Sequence, residues 1–147
     1  MKIREVQLTD EVVRELIAMS ADWAAEGSCW GYGTNEYEDL AGNRVFLAEE
    51  SGEVIGYLLG HRVTADKTNS VMEEGTEYFE LEELYITPAH RSKGVGSALF
   101  RYLEERVRPE AAYILLSAAA KNYRKILHFY IDELGMEFWS ARLFKKL

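Results

Sequence analysis

Apolar and polar positions change their period several times along the chain, and each change marks an element. KIREVQL alternates and predicts a first strand. TDEVVRELIAMSADWAAEG then takes up a helical period, with Val12, Val13, Leu16, Ile17 and Met19–Ser20 on one face. Thr9 or Asp10 can cap this helix and Gly27 can stop it. SCWGYGTNEYEDLAGN, rich in Gly, Asn and Tyr, predicts a loop or short helix. RVFLAEE and VIGYLLGHRV are two apolar runs around a Ser-Gly turn, which predicts a hairpin. The polar TADKTNSVMEEGTE predicts a loop or the turn of another hairpin, and YFELEELYIT a strand ended by Pro88. In a strictly alternating strand, Glu80, Glu82, Leu84 and Ile86 share one face and Leu81, Glu83 and Tyr85 the other. SKGVGSALFRYLEERV predicts a helix with Leu99, Leu103 and Val107 on one face. AAYILLSAAA predicts a buried strand, YRKILHFYIDEL a helix stopped by Gly135, and MEFWSARLFKKL a last strand. No repeat, low-complexity tract or linker interrupts this order. The expectation is one α/β (α+β) domain over residues 1–147, built on a mixed sheet.

Composition narrows the class. An apolar content of 48% fits an ordered globular chain. The longest apolar runs fall short of the ~18–20 residues that span a bilayer, so no membrane association is expected. The chain opens without a charged-then-apolar leader, and Cys29 is its single cysteine. Together these predict a reducing, cytoplasmic setting with neither an internal disulfide nor a thiolate metal cluster. Cys29 reads as a loop or packing residue, because no histidine is tied to it by sequence. The three histidines are scattered and predict no metal site. A net charge of −8 argues against a nucleic-acid surface. The acid is concentrated in residues 36–39 and 72–84, and reads either as solvated surface or as a pocket for a cationic substrate.

The chemistry concentrates in HRSKGVGSALF, where Arg91, Gly94 and Gly96 stand between a strand and a helix. A helix N-terminus carries unpaired N–H groups and the positive end of the helix dipole. Glycines before it let backbone approach a ligand, which suits a phosphate or pyrophosphate, and Arg91 adds positive charge. An ordinary strand-to-helix turn would also use these glycines. The P-loop pattern is absent, since Gly96-Ser97-Ala98 stands where Gly-Lys-Ser/Thr is needed. The dinucleotide fingerprint is also absent, since Leu99 occupies its third glycine.

Arg-x-x-Gly-x-Gly behind a Glu-rich strand resembles the GNAT-type N-acetyltransferase superfamily. The resemblance is carried by LEELYITPAHRSKGVGSALF, with RVFLAEESGEVIGYLLG upstream and HFYIDELGMEF downstream. LEELYIT with the loop after it is also similar to spermidine/spermine acetyltransferases. The resemblance implies a central sheet of about six strands flanked by about four helices, with the fourth and fifth strands splayed. It implies that Arg91, Ser92, Lys93, Gly94, Val95, Gly96 and Ser97 wrap the pyrophosphate of acetyl-CoA. It implies that Leu84, Tyr85 and Ile86 pair with the pantetheine arm as if it were an added strand. It also implies acetyl transfer to a primary amine by direct attack within a ternary complex, with no metal.

Such an attack needs a base, because an alkyl amine near pKa ~10 is mostly protonated at neutral pH. The oxyanion wants an N–H donor, for which the Leu84 backbone is the candidate. Glu82 matches the family's strand glutamate and is the candidate base, with Glu83 as the other acid. Tyr130 is the candidate acid beside the CoA sulfur, and Asn122 a candidate CoA contact. Both depart from the family's spacing. One extra residue separates Tyr130 from Gly135, and one extra separates it from Asn122. One residue turns a helical side chain by about 100°, which offers Phe129 or Ile131 the same place. The aromatics Trp23, Trp30, Tyr32 and Tyr37, with Glu36, Glu38 and Asp39, read as packing plus loop, or as an acceptor wall for a cationic amine. The alternatives are a non-catalytic acyl-CoA-binding module, or an enzyme acting on a protein or peptide amine. The apolar tail around Trp139, Leu143 and Phe144 suits a homodimer.

Overall fold

Ser51 and Gly52 both take positive φ, 52° and 81°. A tight turn of that hand matches the twist of the strands it joins. It folds β2 (Arg44–Glu50) onto β3 (Glu53–Thr64), with Glu50 opposite Glu53. The computed structural model describes residues 1–147 and gathers five strands into one mixed sheet, in chain order. β1 (Lys2–Val6) pairs antiparallel with β2, and β3 with β4 (Glu77–Ile86). β5 (Tyr113–Leu115) pairs parallel with β4.

Helices cover both faces. α1 (Asp10–Glu26) begins where the Thr9 hydroxyl accepts the Val12 N–H at 3.3 Å, and ends at Gly27 in the left-handed conformation. Its apolar stripe, with Leu16 and Met19 buried, packs against Val45, Leu47, Tyr57, Leu59 and Tyr85. α3 (Val95–Val107) lays Leu99, Leu103 and Val107 on the opposite face, against Phe46, Leu58, Phe79 and Leu81. Each such buried side chain contributes about 1.5–3 kcal/mol. α2 (Tyr37–Leu40) is a single turn. α4 (Tyr123–Leu127) continues into a π-helical turn over His128–Glu133. No helix is long and apolar enough to cross a membrane.

Four features depart from the sequence reading. First, β4 does not alternate strictly. Leu81 lies opposite Gly60 and Glu83 opposite Leu59, so Glu82 is an extra, bulged residue. The bulge reverses the parity of the strand. Phe79 and Leu81 before it, and Leu84 and Ile86 after it, all pack on the α3 side, while Tyr85 packs on the α1 side. Glu82 therefore does not share a face with Leu84 and Ile86. Gly60 makes this possible, because a Cβ there would overlap the Glu80 carbonyl oxygen and come within 2.6 Å of the Phe79 ring.

Second, the predicted strand AAYILLSAAA pairs only from Tyr113 to Leu115. The chain then leaves β4, and Ala120 bridges to Cys29 instead. The Trp30 N–H donates to Ala119 O and the Lys121 N–H to Ser28 O, both at 2.9 Å. Third, MEFWSARLFKKL forms no strand, so the sheet has five strands and not six. Leu143, Phe144 and Leu147 are exposed, and Phe144 meets only the Trp30 ring, edge-on at 5.3 Å. Fourth, the residue inserted near Tyr130 is absorbed by the π-turn. The Leu134 N–H reaches back five residues to Phe129 O at 3.1 Å. A π-bulge accommodates one extra residue without breaking the helix.

Gly60→Ala is expected to destabilise the fold by about 3 kcal/mol, because backbone and a buried ring would both have to move. Urea unfolding followed by far-UV dichroism measures this. A loss under about 0.5 kcal/mol would mean that the bulge does not depend on Gly60.

Candidate active site

The loop between β4 and α3 is a row of free donors. Ser92 and Gly94 take positive φ, 59° and 83°. Gly94 caps α3 without a side-chain bond. The N–H groups from Ser92 to Ser97 find no acceptor within the protein; the first amide of the helix to do so is that of Ala98, bonded to Gly94 O at 3.0 Å. Alternating left- and right-handed backbone turns such amides towards a common point, and the helix dipole adds positive potential there. Six unpaired amides therefore fit an anion such as a diphosphate. Gly96 is tightly placed for a different reason: a Cβ would sit 3.2 Å from the Phe129 ring, which packs over the start of α3.

Arg91 is placed differently from its reading as a charge on the loop. Its Nε–H donates to Ile86 O at 2.8 Å, and its two terminal nitrogens donate to the Glu26 carboxylate at 2.6 and 2.8 Å. Lys93 makes no side-chain bond within the protein.

Beside the loop, β4 offers a free edge. β3 covers one side of β4 as far as Ile86, but β5 covers the other side only as far as Glu80. Leu84, Tyr85 and Ile86 lie in the uncovered stretch. An extended ligand carrying amides can add to such an edge.

The two candidate carboxylates have unlike surroundings. Glu83 accepts hydrogen bonds from Tyr57 Oη at 2.6 Å, Tyr32 Oη at 3.2 Å and Asn35 Nδ2 at 2.9 and 3.0 Å. The network continues inward. The Asn35 N–H donates to Ser20 Oγ at 2.8 Å, and Ser20 Oγ lies 2.8 Å from Tyr32 Oη. Because Tyr32 donates to Glu83, the Ser20 hydroxyl must donate to Tyr32. Ser20 is fully buried and no buried side-chain polar atom lacks a partner. Glu82, on the bulge, is nearly half exposed and makes no hydrogen bond; its nearest partner is His61 Nδ1 at 3.8 Å. Asn43 Nδ2 donates to the carbonyls of Asp39 and Leu40, so Asn43 Oδ1 faces His61 Nδ1 at 3.1 Å. That contact makes His61 Nδ1 a hydrogen-bond donor. Glu80 completes the group; burial, then the Glu82 charge, raise its carboxyl above the ordinary range, and His61 partly offsets them.

Tyr130 sits in the π-turn with its ring buried between Phe100 and Phe129. It belongs to the core cluster that contains Val95 and against which Leu84 and Ile86 pack, and its neighbour Phe129 lies against Gly96 at the start of α3. Its hydroxyl has no protein partner and is not sealed from the surface. Burial raises its pKa, so it holds its proton throughout the neutral range. Asn122 stands before α4 and makes no side-chain bond. Tyr32 joins the Glu83 network, whereas Trp30 is exposed and packs edge-on to Phe144, with Lys121 Nζ 4.8 Å from its ring centroid. No cluster of three His, Cys, Asp or Glu side chains is arranged to hold a metal.

Sequence reasoning missed Tyr57, Asn35, Ser20 and Glu26. Tyr57 lies in an apolar strand and Ser20 on a helical face, so both read as core. For Asn35 and Glu26 nothing in spacing signals the partner, which lies 48 and 65 residues away.

The family model for the acetyltransferase (GNAT) family matches residues 11–136. The chain belongs to that family. No curated protein matches the sequence. Among solved structures, a ribosomal-protein-alanine N-acetyltransferase from Brucella melitensis biovar Abortus 2308 is 17% identical with a TM-score of 0.70, over 99% of this chain and 100% of that one. An aminoglycoside 6'-N-acetyltransferase from Acinetobacter haemolyticus is 19% identical with a TM-score of 0.71, over 100% and 98%. An aminoglycoside N-acetyltransferase in complex with CoA is 17% identical with a TM-score of 0.65, over 99% and 98%. At these identities the likeness is one of fold. This GNAT chain is accordingly an acetyltransferase, and acetyl-CoA is the co-substrate of its family.

The tyrosines of the site make stability fall in alkali. Burial raises the Tyr32 hydroxyl to about 12 and pushes Tyr57 up further, reinforced by the Glu83 charge. The unfolded chain ionises its tyrosines near ~10, so the folded state holds these protons more tightly. Their contribution is full below pH ~10 and is lost as pH rises through the folded values. The urea midpoint is expected to drop as pH rises from about 10 towards 12, and Tyr57→Phe to drop less steeply. Equal slopes for both proteins would contradict this placement of Tyr57.

Proposed function

We propose that the protein transfers the acetyl group of acetyl-CoA to a primary amine of a small cationic molecule, by direct attack in a ternary complex. The six unpaired amides from Ser92 to Ser97 carry this reading, since they match a diphosphate in charge and in donor count. The open edge at Leu84, Tyr85 and Ile86 would take the pantetheine arm, with Asn122 as a further contact. Bound there, acetyl-CoA supplies an activated thioester. The chain's own residues do the rest.

Glu82 takes the amine proton, directly or through one water, because its oxygens are free whereas those of Glu83 are filled by donors. Glu83, fixed beside Tyr32, gives the acceptor site a negative wall, and Trp30 lies on the same loop as Tyr32. Such a wall attracts an ammonium group, consistent with a cationic acceptor. A backbone N–H of the open stretch, that of Leu84, stabilises the oxyanion. Tyr130 supplies a proton to the departing thiolate. A non-catalytic acyl-CoA-binding module would have no use for a free carboxylate at the head of the open edge. Cys29, free and partly exposed, fits a reducing cytoplasm.

Two copies are proposed to associate through the C-terminal tail. Its exposed Leu143 and Phe144 sit beside Arg142, Lys145 and Lys146, in a chain whose net charge is −8. Sedimentation velocity should then show a dimer that Leu143→Ser with Phe144→Ser converts to monomer. A monomeric wild type would end this part of the reading.

Acetyl-CoA with polyamines, aminoglycosides and an N-terminal alanine peptide, followed by thiol release, tests the activity. Turnover with a polyamine or aminoglycoside is expected; turnover with the peptide alone would favour a protein acceptor. Glu82→Gln should lower kcat on the order of a hundredfold and Tyr130→Phe about tenfold, both with CoA binding retained. Unchanged turnover in Glu82→Gln would remove Glu82 as the base.

A further inference from the structure

Arg91 stands at the head of the amide loop, but its guanidinium is committed elsewhere. It makes a two-pronged bond to Glu26, the last residue of α1, and a third bond to the carbonyl of Ile86, the last residue of β4. This planar fork holds two element ends at once, which a point charge cannot do. The pairing also answers a local conflict. α1 has no basic residue in its last turn and places Glu26 at the negative end of the helix dipole. Arg91 brings the missing cation from the loop that follows β4. In keeping with this, its hydrogen bonds hold the Glu26 carboxyl below the ordinary range.

From this clamp an unbroken line of contacts leads to Glu83. The guanidinium lies 5.4 Å from the Tyr85 ring centroid. Tyr85 stacks on Trp23 at 5.3 Å, and Trp23 lies 4.3 Å from Tyr32, whose hydroxyl donates to Glu83. Trp23 and Glu26 are both on the last turn of α1, so where that turn sits decides where the aromatic stack sits. We propose that Arg91 is a positioning residue: it latches the C-terminal end of α1 to the end of β4 and thereby sets the Trp23–Tyr32 stack beside Glu83, and it does not contact the pyrophosphate. The inference rests on the acetyltransferase reading for what the site binds, but the latch itself does not depend on it.

The test compares Glu26→Gln, Arg91→Lys and Arg91→Gln with wild type. CoA binding is read by calorimetry and the aromatic stack by near-UV circular dichroism, with Trp23→Phe assigning the band. The latch predicts that all three variants weaken the Trp23 band, because lysine cannot make both bonds. It also predicts that all three keep the CoA Kd within about twofold of wild type. A phosphate contact predicts the opposite pattern. Arg91→Gln would then lose CoA affinity about tenfold or more, Arg91→Lys would keep most of it, and Glu26→Gln would lose none. That pattern, or an unchanged band in Glu26→Gln, overturns the proposal. If wild type itself gives no heat with CoA, the acetyltransferase reading falls, and the dichroism still decides whether the latch exists.

Discussion

The unequal pairing of β4 is the constraint on which the site depends. One side of the strand is satisfied by β3 over its whole length, while the other is satisfied by β5 over only three residues. Backbone groups that find no partner must meet water or a ligand. Because β5 departs at Leu115 and its continuation pairs with Ser28–Trp30, the uncovered stretch of β4 is not closed by another strand. The same strand then runs, through a short turn at Pro88–His90, into the loop whose amides are also unpaired. Two sets of unsatisfied donors thus lie consecutively in the chain, and together they suit a ligand that carries both a diphosphate and amides.

The bulge at Glu82 gives the two neighbouring acids unlike surroundings. Without it, Glu83 would fall on the α3 face, among Phe79, Leu81 and Leu99, where an ionised carboxylate is very costly. With it, Glu83 turns to the α1 face and meets Tyr32, Asn35 and Tyr57, and Glu82 is left with free oxygens. Gly60 on the neighbouring strand is therefore part of the site's construction although it touches no ligand. Its missing Cβ lets the strands approach where the extra residue must fit.

Much of this was legible from sequence, and the rest was hidden for physical reasons. The caps of α1, the Ser51-Gly52 turn and the Leu99, Leu103, Val107 stripe each depend on residues close in sequence, and periodicity finds them. The Arg91–Gly96 motif was visible because its glycines are tied to backbone geometry. The bulge was not, because it depends on a glycine in a different strand. The pairing of Arg91 with Glu26 was not legible, because the two lie 65 residues apart and no spacing links them. The insertion beside Tyr130 was visible, but not that a π-turn would absorb it. The tail misled because apolar content signals a strand only where an edge is available to pair with it, and within this chain none takes it.

Amide hydrogen exchange with and without acetyl-CoA tests the central claim most directly, since it reads the donors themselves. Binding should slow exchange at residues 92–97 and along the open stretch of β4, and leave the β1–β2 pairing unaffected. Protection elsewhere with those amides still exchanging freely would contradict the account.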